Sequence, residues 1–482
     1  MASGGGNKRA WVADLEGGLA GAGAASERAL WSKHSVHRIP AAVKDLHPHA
    51  YRPQVVSLGP FHHGDQRLVS MEPHKLRAVA RFVGRSRRPV AEFVAAVEAA
   101  AAELEESYQD LAGEWRGERF LQVMFTDGCF LLEMMRTAKV IGGGGGGGKH
   151  DEASGAVGGY AHNDPVFGRH GAVYMVPYVR RDMLIVENQL PLLLLQKLVA
   201  VETGKESQDL GDVEYEVKKM VLRFISPSCK TPPEKEHRAL HPLDLFRKSL
   251  LSGQHQRPRG DRGSAGAGRD DRRRDDDEEA NGGIIRSAAE LYEAGIRFRR
   301  SPTASLHDIT FRRGVLALPF VVVDDSTEYA FLNLMAFERL HAGAGNDVTA
   351  YVLFMDSIID SARDAALLTA RGVIQNAVGS DKAVARLFNG LSKDVVALDG
   401  AGGDGELYAV RRAVSRYCRK PCHVWRANLV HTYFRSPWAF MSLAAAVFLL
   451  AMTVAQTVYT VLPFYQQGGN GGEATYAAPA PR

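Results

Sequence analysis

From Ser436 to Gly472 the chain carries no Asp, Glu, Lys, Arg or His, and Trp438 to Leu462 reads WAFMSLAAAVFLLAMTVAQTVYTVL. These 25 residues, at the helical rise of 1.5 Å, cover roughly 37 Å, enough to cross a hydrocarbon layer of about 30 Å with some tilt. A chain with such a segment must either bury a long apolar helix in a core or place it in lipid. The ends favour lipid: Trp438 and Phe440 on one side and Tyr459, Phe464 and Tyr465 on the other are rings that settle at membrane interfaces. Pro463 helps to end the helix. Gln456 is a tolerated polar position or a contact point for another helix. A transmembrane anchor over 436–465 and a short polar tail over 466–482 are expected.

Charge flanking the segment predicts its orientation. Arg411, Arg412, Arg416, Arg419, Lys420, Arg426 and Arg435 precede it with no acid between Leu407 and Pro437, while the tail carries Glu473 and Arg482. The positive-inside rule then puts the large N-terminal part in the cytosol, with insertion after translation as for tail-anchored proteins. The bilayer is the expected partner of Trp438 to Leu462, and plasma membrane and endomembrane are both open. The same cations would attract anionic headgroups at about 1 kcal/mol each, although a topology signal alone explains them equally well.

The remainder is long enough to enclose a large core, as one extended domain or two smaller ones. A formal charge of +4 over 482 residues gives no global reason to wrap a polyanion. Cys129, Cys229, Cys418 and Cys422 are too scattered for a disulfide framework, which suits a reducing compartment. Residues 1–34 are rich in Gly and Ala without a continuous apolar stretch, so they read as a disordered segment rather than a signal peptide. Two compositional breaks interrupt the chain between residue 35 and the apolar segment. A run of glycines from Gly142 to Gly148 opens a polar stretch reaching about Gly171, predicted as a flexible surface loop. A second insertion at about 253–283 contains RDDRRRDDDEE, Arg269 to Glu279, which cannot bury a core.

Apolar spacing predicts helices over Pro89 to Trp115, Met183 to Val201, Ala330 to Leu340 and Tyr351 to Val373. Val173 to Val179 and Val315 to Val323 are the strand candidates. The expectation is a mainly α fold with a minor β component: one large globular domain over 35–435 plus a single C-terminal transmembrane helix.

Each chemical pattern has a structural rival. Gly143 to Lys149 matches G-x4-G-K, but His150 stands where a phosphate loop needs Ser or Thr, and no apolar strand precedes it. His34, His37, His47, His49, His62, His63 and His74 cluster early, yet without the helical spacing or carboxylate of a zinc site. Asp324, Asp325 and Glu328 are carboxylates that could hold a metal or shuttle a proton; Asp325 and Glu328 fit a helix-capping box better. Asp356 and Asp360, four apart, suggest either a metal pair or a solvated helical stripe. Arg312 and Arg313, or Arg297, Arg299 and Arg300 beside Phe298, are phosphate candidates without a stacking array, so no nucleic acid is expected. No catalytic, cofactor-binding or metal-ligating residue is assigned.

Several strings resemble the plant domain-of-unknown-function family 247. They are SVHRIPAAV (Ser35 to Val43), AYRPQVVSLGPFHHG (Ala50 to Gly64), MEPHKLRAVARFV (Met71 to Val83), DGCFLLEMM (Asp127 to Met135) and MLIVENQLPLLLLQKL (Met183 to Leu198). Later blocks over Phe311 to Leu340, Tyr351 to Leu391 and Tyr433 to Tyr465 are similar too. The resemblance, from Ser35 to Tyr465 without the insertions, implies a plant source, one large domain and a C-terminal span, and no reaction or cofactor. Within its strings, Pro191 behind Asn188 and Gln189 should launch a helix over Leu192 to Val201, and His62 and His63 should fix the turn bracketed by Pro60 and Gly64. The resulting reading is a membrane-anchored interaction or signalling protein with an unknown protein partner. An uncharacterised membrane-associated enzyme with an acidic or histidine site is the alternative. Because some grass relatives are associated with self-incompatibility loci, a pollen recognition factor is a third.

Overall fold

The structure, a computed structural model, describes residues 33–141, 159–205, 210–227, 238–252, 286–393, 405–419 and 437–467. The Gly143 to Lys149 match, His150, Cys229 and Cys422 lie outside them. The fold is mainly α with small sheets, as the apolar spacing predicts.

Buried apolar side chains among the described residues fall into two clusters. The first is helical. Its axis is α5 (Glu118–Ile141), flanked by α2 (Glu72–Ser86), α3 (Val90–Glu98), α6 (Arg169–Asp182), α7 (Leu192–Thr203) and α8 (Leu210–Ile225), after the short α1 (Ala41–Leu46) and with α4 (Ala101–Glu106) between α3 and α5. The centre of α5 is apolar on nearly every side, which is why Val123, Met124 and the run Cys129 to Leu132 are all buried. Gly128 permits its close approach to α7: a Cβ there would lie 2.6 Å from Leu198. Pro191 stands at the N-cap of α7, as expected, and Gly204 closes that helix in the left-handed conformation at φ 63°.

The second cluster combines α9 (Pro242–Leu251), α10 (Ala288–Glu293), α11 (Thr327–Leu340), α12 (Asp347–Ile358), α13 (Ala362–Ala370), α14 (Asp381–Leu391) and α15 (Gly405–Cys418) with two small sheets. Strand β3 (Val315–Leu318) runs parallel to β1 (Arg297–Arg300) and antiparallel to β2 (Thr310–Arg312); β4 (Val321–Val323) pairs in parallel with β5 (Ile374–Asn376). Arg312 opposes Val315, so the β2–β3 loop is Arg313-Gly314, at φ 49° and 78°. Two positive φ values match the twist of a tight hairpin. Helix α9 serves both clusters, with Leu245 in the first and Leu243 in the second. Last comes α16 (Pro437–Gln467), of which Ala444–Leu462 is long and apolar enough to cross a membrane.

Several sequence expectations need correction. Val173 to Val179 is not a strand but lies in α6, where Ala172, Val176 and Val179 are buried at helical spacing; valine content alone favours β and is overridden by that spacing. Pro89 to Trp115 is two helices and a 3-10 turn, broken at Ala99–Ala100 without Gly or Pro so that Val97, Ala100 and Leu104 all reach the core. Tyr351 to Val373 also breaks, because Ser361 and Asp364 form a capping box that starts α13. In Met183 to Val201 only the part from Leu192 is helical. Pro319 divides Val315 to Val323 into strands of different sheets. Finally, Tyr160, Val166 and Phe167 are core residues, so the surface loop does not extend to Gly171.

Candidate functional site

The strings that resemble the family run along the boundary between the two clusters. Val36, Val56 and Leu58 belong to the first, whereas Ile39, Ala50 and Tyr51 belong to the second; Met183 and Leu190 lie in the first, Leu184 and Val186 in the second. These are irregular segments pressed between apolar surfaces. Many of their backbone groups lack helix or sheet partners, and leaving them bare would cost about 1–3 kcal/mol each.

Buried side chains satisfy them. Asp182, at the end of α6, accepts from the N–H groups of Gln54, Val55 and Val56 at 2.9, 2.7 and 2.9 Å. Burial pushes its carboxyl up, and the three amides pull the other way. Asn188 accepts from Leu58 N–H at 2.7 Å and donates to the carbonyls of Val56 and Asp182. Gln189 donates to Met183 and Ile185 carbonyls and accepts from Leu243 N–H on α9. From α11, Asn333 accepts from Val186 N–H and donates to Ala50 O at 2.8 Å. Glu187 receives Ile39 N–H and Lys44 Nζ, both at 2.7 Å, with His62 Nε2 at 3.5 Å. Burial would raise Glu187, but His62, Lys44 and the Ile39 amide together hold it below the usual carboxylate range.

At the centre Lys75, on α2, is wholly buried. Its Nζ lies 2.6 Å from Asp127, 2.8 Å from Glu72 and 3.0 Å from Ser57 Oγ. Asp127 also takes the N–H of Gly59, whose positive φ and contact with the Tyr108 hydroxyl leave no room for a Cβ. Burial alone would depress the lysine, yet the carboxylates of Asp127 and Glu72 outweigh it and hold the ammonium above its ordinary range. Ser57 beside Lys75 has the outline of a nucleophile and base, but a lysine held charged takes no proton from serine. Cys129 is buried too, and burial pushes its thiol far up, away from the reactive thiolate. What this arrangement does chemically is fix the chain path.

A second polar cluster lies at the same boundary. His37 Nδ1 meets Gln109 Oε1 at 3.2 Å, and its Nε2 meets His341 Nδ1 at 3.3 Å. His241 caps α9: its Nδ1 accepts from Asp244 N–H at 3.2 Å while its Nε2 donates to Ser35 O at 3.0 Å. Nearby, Arg247 joins Glu338 and Asp347 at 2.8 and 3.0 Å.

The residues singled out from sequence are scattered by this fold. Of the early histidines, His37 enters the second cluster, His62 approaches Glu187, His63 stands edge-on to Trp115 and His74 lies beside Arg77. His34 is half-buried, His47 ends α1, and the exposed His49 offers its carbonyl to Arg181. His62 and His63 thus have partners unrelated to those of Asp324, whose Oδ1 binds Ser326 and Thr327. The expected capping box of Asp325 and Glu328 is absent: α11 begins at Thr327 with Asp324 bracing the turn before it. Asp360 falls beyond the end of α12 at Ile358, so it shares no helical face with Asp356. Among the phosphate candidates, Arg297, Arg299 and Arg300 are exposed on β1 above buried Phe298, Arg300 lies over Phe320, and Arg313 occupies the hairpin turn. Arg411 packs over Phe354. Among the described residues, no group of three or more His, Cys, Asp or Glu side chains is placed to hold a metal.

The family model described as plant protein of unknown function, DUF247, matches residues 36–452. The chain belongs to this family. A UPF0481 protein of Arabidopsis thaliana is 28% identical over 468 residues, covering 92% of this chain and 89% of the relative. A putative UPF0481 protein of the same plant is 23% identical over 501 residues, with 88% and 89% covered. No solved structure matches. The DUF247 strings supply most of the boundary contacts: Asp127, Glu187, Asn188 and Gln189 all come from them. Sequence reasoning missed Lys75, Asp182 and Asn333, whose partners are distant in the chain, and missed His241 and His341 as companions of His37. One signal was present: His241-Pro-Leu-Asp244 has the form of an N-cap followed by proline at the first helical position.

Proposed function

We propose that this DUF247 protein is held in a membrane by α16 and that its folded part, on the cytosolic side, binds another protein rather than catalysing a reaction. The observation that carries the anchor is the complete exposure of an uncharged apolar helix: none of the window Ala444–Leu462 is buried against the protein. A core helix of a soluble protein would hide at least one face. Phe448, Leu449 and Leu450 are 65%, 64% and 68% exposed, and apolar surface on that scale marks a membrane or partner contact. Orientation is supported by Arg419, Lys420, Arg426 and Arg435, which lie within about 20 residues of the span, the distance over which basic residues set topology; Arg411 is occupied by the second core.

Support for a binding role comes from α6, which leaves Val173, Tyr174 and Tyr178 exposed on one face. Aromatic side chains of this kind are enriched in protein interfaces. The enzymatic alternative depends on His62, His63, Asp324 and Asp325 converging, and the first three have separate partners.

The test compares the full chain with a form ending at Arg435 in microsomes, by carbonate extraction and protease protection. The proposal expects an integral full chain, a soluble truncation and an N-terminal part digested from outside intact vesicles. A truncation that stays integral refutes the anchor; a protected N-terminal part refutes the orientation.

A further inference from the structure

The second polar cluster joins four parts of the chain: the segment 35–39, the turn after α4 through Gln109, the start of α9 through His241 and the end of α11 through His341. Its hydrogen bonds fix the protonation of two of the three rings. His241 receives a backbone N–H on Nδ1 and donates from Nε2, so it is neutral, and a second proton would face the Asp244 N–H. With Gln109 Oε1 as acceptor, His37 carries its proton on Nδ1 and offers the lone pair of Nε2 to His341. Where His341 donates from Nδ1, a proton added there sets two N–H groups against each other. A charged His241 would also sit at the positive end of α9.

We propose that His37, His241 and His341 form a proton-sensitive latch, which holds residues 35–39 at the junction of the two cores while the imidazoles are neutral and releases them on acidification. Charged groups around the latch do not rescue the protonated form. At His341 a hydrogen bond to the backbone of His34 favours it while Lys248 and Arg247 of α9 oppose it, and His34, just before the segment, opposes it at His37. Asp244 favours it at His241 and His341, yet its Oδ2 is already engaged by Lys248 at 2.7 Å and by Leu240 N–H at 3.0 Å. Glu338 of α11 and Asp347 of α12 face Arg247 instead. Remaining attachments of the segment are the bonds of Ser35 and Val36 N–H to Ser107 O, of Gln109 N–H to Val36 O and of Ile39 N–H to Glu187, the burial of Val36 and Ile39 in the two cores, and Arg38 over the Phe61 ring.

The sign follows from burial, which pushes His37 and His241 down to about 4 from 6.5. The released segment then binds more protons than the latched one between those values. Latching is therefore complete above about pH 6.5 and weakens as pH falls, by on the order of 10-fold or more per histidine at pH 5.

Amide hydrogen exchange of the full chain in detergent, corrected for the intrinsic effect of pH, tests this at the peptide covering residues 33–40. Protection should fall at least about 10-fold from pH 7.5 to 5.0 in the wild type. The fall should shrink in His241→Asn, which keeps a neutral cap, and in His37→Gln. Unchanged protection in the wild type, or an equal fall in both variants, overturns the latch. Should either variant fail to fold, exchange of the imidazole C2 hydrogens in the wild type decides: ordinary titration of His37 and His241 near 6.5 refutes the proposal, and depressed titration supports it.

Discussion

Charge is enclosed in the folded part of this chain, whereas hydrocarbon is displayed along α16. Lys75 and Asp182 are wholly buried, and Asp127 and Glu187 are nearly so, while the side chains of α16 from Val447 to Leu450 stand in the open. The contrast traces to the backbone. Segments 50–59 and 183–191 are irregular and enclosed, so they need side chains to meet their amides and carbonyls. An α-helix satisfies its own backbone and can be apolar throughout. Even the hydroxyls of Thr453, Thr457 and Thr460 turn back to the carbonyls of Leu449, Thr453 and Gln456. Polarity therefore follows backbone need, and the overall apolar fraction does not show where it lies.

Single substitutions put this contrast to the test. The largest effect is expected for Lys75→Met, which strands the charges of Asp127 and Glu72: a loss of about 3–5 kcal/mol in urea unfolding. Adding Asp127→Leu should recover part of it, and a double variant as weak as the sum of the singles would show that the pair is not coupled. Next, Leu449→Arg in α16 should cost about 2.5–3.5 kcal/mol of membrane insertion and move the protein toward the carbonate-soluble fraction, with little change in the folded part. An unchanged integral fraction would count against α16 as the anchor. Asn333→Ala removes the bridge between Val186 N–H and Ala50 O and should lower the unfolding free energy by about 1–3 kcal/mol. Smallest is Arg88→Ala, which breaks an exposed pair with Glu92 and should change stability by less than about 0.5 kcal/mol. A large loss there would mean that surface pairs matter as much as buried ones.

The elements dominated by local pattern were legible in the sequence. Helix α16 is visible as an uncharged run, α11 as a compact apolar repeat, and α7 through Pro191 and the leucines behind it. The break at Ala99–Ala100 was not, since alanines favour helix and only packing of Leu104 asks for the turn. Nor was α6: its valines suit a strand, and the pattern that decides it is the spacing of Ala172, Val176 and Val179. The boundary contacts were beyond local reading altogether. Asp182 and Gln54 lie 128 residues apart, and His37 and His341 lie 304 apart, so nothing near either partner announces the other. The family resemblance marked several of these residues without saying what they hold.

Asp182 also illustrates what such a contact leaves free. It grips Gln54, Val55 and Val56 by their amides, which every residue except proline possesses. The path of the chain there is prescribed without prescribing the letters. Exposed Gln54 is exchangeable for any residue that keeps an N–H, whereas the grip needs both the Asp182 carboxylate and the absence of proline at 54–56.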